Sequence, residues 1–303
     1  RGRSIGRRHF YGRRDTLPSC SRVFGYPSKV ARWDGRSDAV DHAVPYQPST
    51  DKEIYIMKIN NQERFTRLPH AFLFDTDNTL YPYGPAHAAA QKAVQEKVSK
   101  TFSISSKDFD KAFEEARTQV KARLKNTASS HSRLLYLQRM LEIMGLGSQV
   151  LLALDFEQTY WRTFLSNANL FDGVKELLDD IRLLGIPTAI VTDLTAQIQF
   201  RKVVYFGLDH YFDYIVTSEE ACFDKPHEAN FQIALEKMRP KGDCIWMIGD
   251  NPANDIRGSR ENINAVTLQK IHDGVEVGTG LNEPDAVFNE FSEIRKLISK
   301  LGA

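Results

Sequence analysis

Cysteine is scarce in this chain of 303 residues. Its three cysteines, Cys20, Cys222 and Cys244, are odd in number, far apart and without a Cys-x-x-Cys pair. That excludes a disulfide framework and a thiolate zinc site. Long apolar runs are missing as well. No segment approaches the roughly 18 consecutive apolar residues of a membrane span, and no apolar leader core opens the chain. A cytoplasmic protein without a membrane partner is the expectation. Net charge is almost absent, at +1, and the composition is that of an ordinary globular protein, 42% hydrophobic and 26% charged. Such a chain can bury one large core or two modest ones.

The small net charge hides an uneven distribution. Residues 1–56 carry eleven Lys and Arg against six Asp and Glu, a surplus of five, while the remainder carries twenty-nine against thirty-three. The stretch RGRSIGRRHFYGRR and the Gly, Pro and Ser that follow have neither helical nor strand periodicity. Contact with nucleic acid and a transit peptide are the sharper readings of this Arg-rich tail, and Asp15, Asp34, Asp38 and Asp41 weaken the second. A disordered or non-native extension is the expectation, and Met57, which opens the segment MKINNQERFTRLP before the first convincing strand, reads as a biological start.

From residue 70 onward the pattern is regular. AFLFD (71–75) reads as a buried strand. Four amphipathic stretches follow, 86–102, 105–125, 132–145 and 148–166, and together they form a helical insertion. After a helix at 174–185, helices and strands alternate: strand 187–193, helix 195–206, strand 214–218, helix 228–238, strand 243–250, helix 253–260, strands 265–268 and 285–288, and a last helix at 290–301. Alternation of this kind specifies an α/β fold, a Rossmann-like parallel sheet wrapped by helices. The insertion follows the carboxyl end of the first strand, where open α/β sheets bind ligands, and reads there as a lid.

Several strands end on chemically useful residues. FLFDTDNTL places Asp75 and Asp77 after the first, TAIVTD stops at Thr192, Lys225 lies on the loop after YIVTS, and IWMIGDNPAND supplies Asp250 and Asp255. Parallel strands bring their carboxyl ends to one edge, so these six side chains are expected to converge. Four carboxylates in one place repel one another. A hard divalent cation such as Mg²⁺, with oxygen ligands, resolves the repulsion, and Lys225 adds a second positive centre. The pair suits a phosphoryl group.

The four segments FDTDNTL, IVTD, the Asp-Lys-Pro lysine and IGDNPAND resemble, in order, the four motifs of the haloacid dehalogenase-like (HAD) hydrolase superfamily. The helical insertion is similar to the cap of its subfamily I. The resemblance covers roughly residues 70–303, and it divides the chain into a core, 57–84 and 168–303, and a cap, 85–167. It implies that Asp75 attacks phosphorus to form an aspartyl-phosphate, and that Asp77 is the acid and base. It further implies that Thr79 positions Asp77 and that Thr192 and Lys225 bind the phosphoryl group. Asp75, the Asp77 backbone carbonyl and Asp250 are implied to hold Mg²⁺, with Asp255 in support. An acid two residues after the nucleophile fits an alkoxide leaving group and disfavours carbon–halogen cleavage, since halide leaves without a proton. Asn78 and Asp193 depart from residues common in the family.

The implied activity is a Mg²⁺-dependent phosphomonoesterase acting on a small phosphate ester, either a sugar phosphate or a nucleoside monophosphate. A phosphomutase, and a regulator that binds phosphorylated ligands without turnover, are the alternatives. Tyr81, Tyr83, His131 and Arg133 are the candidate contacts that choose the leaving group. Each also has a plainer reading, as hinge packing for the tyrosines and as helix-start or ion-paired residues for the other two. Oligomeric state is not legible.

Overall fold

The computed structural model describes residues 57–302. The Arg-rich segment 1–56, with its expected disorder and the weaker nucleic-acid and transit readings, lies outside the described residues. The strands are β1 (Lys58–Ile59), β2 (Ala71–Phe74), β3 (Thr188–Thr192), β4 (Tyr214–Thr217), β5 (Ile245–Gly249), β6 (Val266–Lys270) and β7 (Ala286–Phe288). They form one sheet in the order β1-β7-β6-β5-β2-β3-β4, parallel throughout except for β1, which pairs antiparallel with β7. The short edge strand β1 is too brief for any sequence period to reveal it.

Strand β2 is buried on both faces, and its alternation explains the layering. Phe72 and Phe74 join one apolar cluster with Trp246, Ile248 and Ile190, whereas Ala71 and Leu73 join another with Ala189, Val191 and Met247. Helices α5 (Val174–Leu183) and α10 (Phe291–Gly302) bury Leu177, Ile181, Ile294 and Ile298 in the first cluster. Helix α8 (Glu228–Met238) buries Phe231, Ala234 and Met238 in the second. Each fully buried Phe or Leu contributes roughly 1.5–3 kcal/mol, so the central strand is rigidly held.

Between β2 and β3 the chain forms α1 (Tyr83–Phe102), α2 (Ser106–Leu124), α3 (Arg133–Ile143) and α4 (Val150–Ser166). They pack on one another through Val94, Val98, Phe109, Leu137, Phe156 and Phe164. Ser105 and Ser132 cap α2 and α3 by accepting the N–H groups of Asp108 and Leu135. Helix α1 starts three residues before the expected 86. Pro82 takes the extended cap position and Pro85 sits in the first turn, where its missing N–H costs nothing. The expected core–cap boundary after residue 84 therefore falls inside the first turn of α1.

The remaining helices are α6 (Ala196–Tyr205), the four-residue α7 (Ser218–Ala221) and α9 (Gly258–Ile263), with a π-helical turn at Pro252–Arg257. The sequence predicts one helix over 253–260. Instead Asn251 caps the turn at Ala253 and Asn254, and Asp255 points inward and accepts the Asn251 N–H at 3.0 Å. No described helix is long and apolar enough to cross a membrane.

Candidate active site

Connections run from β2 to β3 and β4 on one side, then return to β5 on the other, which makes the carboxyl end of β2 the topological switch point of the sheet. Register brings the flanking strands level: Phe74 lies opposite both Ile190 and Ile248. Asp75, the next residue, is tied to the sheet by its N–H on the Ile248 carbonyl at 2.9 Å. Its side chain then stands at the shared edge.

Lys225 is the centre of the charged cluster. Its Nζ donates to Asp75 Oδ1 at 2.7 Å and to Asp255 Oδ1 at 2.6 Å, and the residue is 5% exposed. Burial opposes its charge, but Asp255, Asp75 and Asp193 together hold the ammonium well above its ordinary pKa. Asp193 also anchors the loop, accepting the backbone N–H of Lys225 at 2.8 Å. That gives this departure from the family pattern a structural role. Gly249 makes room for the arrangement, since a Cβ there would overlap the Asp255 side chain.

The acids carry more charge than Lys225 neutralises. Burial pushes the Asp75 carboxyl up to about 6, with Lys225 opposing and Asp255 adding to the rise. Asp250 is pushed up to about 8 by burial and by the neighbouring Asp75 and Asp255. Oxygen atoms of Asp75, Asp250 and Asp255 lie within 4.8 Å of one another. A cluster of oxygen donors with an uncompensated negative charge fits a hard divalent cation.

Asp77 lies in different surroundings. Burial alone would raise its carboxyl, but Lys202, at 2.8 and 3.0 Å from the two oxygens, and the Tyr81 hydroxyl hold it below the ordinary value. Lys202 comes from α6 and is 2% exposed, with the rings of Tyr81, Trp161 and Phe164 around its ammonium. Sequence reasoning missed it. A signal existed, because Lys202 stands four residues after Ile198 on the buried stripe of α6 and four before the buried Phe206 that caps the helix.

Thr79 differs from its expected position. Its hydroxyl donates to Asp75 Oδ2 at 3.0 Å and makes no hydrogen bond to Asp77. The cause is the turn: Asn78 is left-handed, at φ 63°, and reverses the chain so that Thr79 faces back toward the strand end. Thr192 shares a 2.7 Å hydrogen bond with the Thr76 hydroxyl and accepts from Gln199 Nε2 at 2.9 Å.

A cavity of about 240 Å³ opens above these groups, lined by Asp75, Asp77, Thr192, Lys202, Lys225, Asp250 and Asp255 from below. Tyr83, His131, Arg133 and Trp161 of the insertion close it from above. Three of the four leaving-group candidates thus reach the cavity. Tyr81 does not; it is 1% exposed, packed against Phe164 and Phe206 with its hydroxyl on Asp77. His131 is paired with Asp224 at 3.0 Å, and Arg133 donates to the His131 carbonyl and the Tyr83 hydroxyl. His227 caps α8.

A parallel sheet with a buried carboxylate–lysine cluster at its switch point is the architecture of an α/β enzyme with its site at the carboxyl ends of the strands. The family is settled by direct comparison. Residues 69–261 match the haloacid dehalogenase-like hydrolases, and the chain belongs to that family. It is 34% identical over 202 residues to the ribulose-1,5-bisphosphate 5-phosphatase of Halopiger xanaduensis, covering 66% of this chain and 83% of that one. It is 27% identical over 190 residues to the glyceraldehyde 3-phosphate phosphatase of Methanopyrus kandleri, covering 62% of this chain and 78% of that one. A 2-haloacid dehalogenase of Pseudomonas syringae shares the fold, with a TM-score of 0.62 and 19% identity over 77% of this chain and 99% of that one.

Proposed function

We propose that the chain is a Mg²⁺-dependent phosphomonoesterase that hydrolyses a small phosphorylated metabolite through an aspartyl-phosphate on Asp75. One observation carries this reading: Lys225 bridges Asp75 and Asp255 at 2.7 and 2.6 Å beside Asp250, at the floor of a cavity. Both relatives named above are phosphatases of small phosphorylated compounds, which supports a sugar-type phosphate ester as the substrate class. The dehalogenase has the same fold, so the fold alone does not choose the bond that breaks. The acid at position 77 favours an ester, whose leaving oxygen needs a proton.

In this reading Lys225 and Thr79 each donate to one oxygen of Asp75, orienting the carboxylate for attack on phosphorus. Lys225 and Thr192 receive the phosphoryl oxygens. Asp77 gives a proton to the leaving oxygen, then takes one from the water that cleaves the aspartyl-phosphate. Lys202 keeps Asp77 ionised for the second of these steps, and the negative charge arriving with the phosphoryl group raises its proton affinity for the first. Asp75, Asp250 and the Asp77 carbonyl would hold Mg²⁺, with Asp255 in support. When bound, the ion neutralises charge on the phosphoryl group. Residues 85–167 serve as the cap that excludes water.

Phosphate release from p-nitrophenyl phosphate by the purified full chain tests the reading. It requires divalent cation and is lost in Asp75→Asn; release that survives the substitution overturns it.

A further inference from the structure

A second cavity, of about 350 Å³, lies within the helical insertion and shares Tyr83, His131 and Arg133 with the cavity above Asp75. Its charge is one-sided. Arg117, Lys121 and Arg133 line it against a single acid, Glu114, which already pairs with Arg117 at 2.8 Å. Arg133 is the most exposed to this imbalance. Its Nη1 and Nη2 donate to neutral oxygens, the His131 carbonyl and the Tyr83 hydroxyl, its Nε is buried without a partner, and it has no carboxylate partner among the described residues.

The neighbouring titratable groups register the same excess. Burial, Arg117 and Arg133 hold the Lys121 ammonium below its ordinary value, with the acids Asp224 and Glu114 opposing. Burial, Arg133 and Arg117 push the His87 ring down to about 4, so it adds no charge. Arg117 is exposed and Lys121 partly so, while Arg133 has a buried donor without a partner, and its charge is costly until an anion joins it. Among the described residues the chain supplies only Glu114 on the cavity wall and Asp224 beneath His131.

We propose that this chamber is a second anion subsite. The substrate carries, besides the phosphate cleaved at Asp75, a distant phosphate or carboxylate received by Arg117 and Lys121, with Arg133 at the junction of the two cavities. The inference rests on the phosphatase reading above and adds the class of substrate: a small molecule with two separate anionic groups instead of a simple monophosphate.

The test uses the full chain carrying Asp75→Asn, with Mg²⁺, and isothermal titration of two matched pairs. Fructose 1,6-bisphosphate is compared with fructose 6-phosphate, and 3-phosphoglycerate with glycerol 3-phosphate. The member with the second anionic group binds tenfold or more tightly in at least one pair, and the pair that shows it identifies a phosphate or a carboxylate as the second anion. Adding Arg117→Gln and Lys121→Gln removes the preference, while Lys121→Arg keeps it. Equal affinities within both pairs, or a preference that survives the double substitution, overturn the proposal. The ligand comparison needs no cap variant, so misfolding of one does not mask the result. Failure of the underlying reading is a separate observation, phosphate release by the Asp75→Asn protein.

Discussion

Replacing Asp250 by Asn is expected to stabilise the metal-free protein while destroying its response to Mg²⁺. Asp250 follows β5 beside Asp75 and Asp255, and burial with these neighbours pushes its carboxyl from 3.8 up to about 8. The folded protein therefore binds this proton more tightly than the unfolded chain does. Its contribution to stability is fully present below about pH 4 and is lost as pH rises toward 8. The full shift sets a ceiling of ~6 kcal/mol at ~1.4 kcal/mol per pH unit. Solvent reaches this half-buried side chain, so the expected cost at pH 8.5 is on the order of 2 kcal/mol. For a protein of this size that is about 5 °C in melting temperature. Thermal melts with chelator at pH 5 and pH 8.5 read it directly. Asp250→Asn melts within about 1–2 °C of the parent at pH 5 and about 5 °C above it at pH 8.5, and added Mg²⁺ raises only the parent. Equal melting at pH 8.5, or equal stabilisation of both proteins by Mg²⁺, refutes the reasoning.

Three further substitutions probe the groups around the two acids. Lys202→Met removes the cation that holds Asp77 down, so the Asp77 pKa rises; the acidic limb of kcat against pH for p-nitrophenyl phosphate moves up by about one unit or more, and a limb that stays in place contradicts the pairing. Thr79→Val leaves Asp75 Oδ2 without its donor and lowers kcat about tenfold, equivalent to ~1.4 kcal/mol; an unchanged kcat removes Thr79 from the machinery. Asp193→Ala frees the loop that carries Lys225 and weakens competitive inhibition by inorganic phosphate about tenfold, which steady-state inhibition measures.

The fold was legible because its signals are local. Buried parallel strands such as Phe72-Leu73-Phe74 are apolar runs, and the segments between them carry the helical period. What escaped was set by tertiary contacts or by lengths too short for a period: the two-residue β1, the four-residue α7 and the π-helical turn around Asp255. At the site, the strand-end acids, Thr192 and Lys225 converge because the topology dictates it. Thr79 reached Asp75 instead of Asp77 because the left-handed Asn78 controls its direction, which spacing alone does not encode. Lys202 escaped because a lysine on a helix is usually solvated. Only its position on a buried stripe distinguishes it, and only the fold shows that the stripe ends at Asp77. Tyr81 beside Tyr83 had looked equivalent, yet one turns inward to Asp77 and the other meets Arg133 in the cavity.

The central claim is a covalent phosphate on Asp75, and reductive trapping tests it most directly. Borohydride converts an acyl phosphate to the corresponding alcohol, so quenching the full chain with borohydride during turnover of p-nitrophenyl phosphate leaves homoserine wherever the acyl phosphate stood. Peptide mass spectrometry is expected to find homoserine at position 75, dependent on both substrate and Mg²⁺. Turnover with Asp75 unmodified, or homoserine at another acid, would contradict the account.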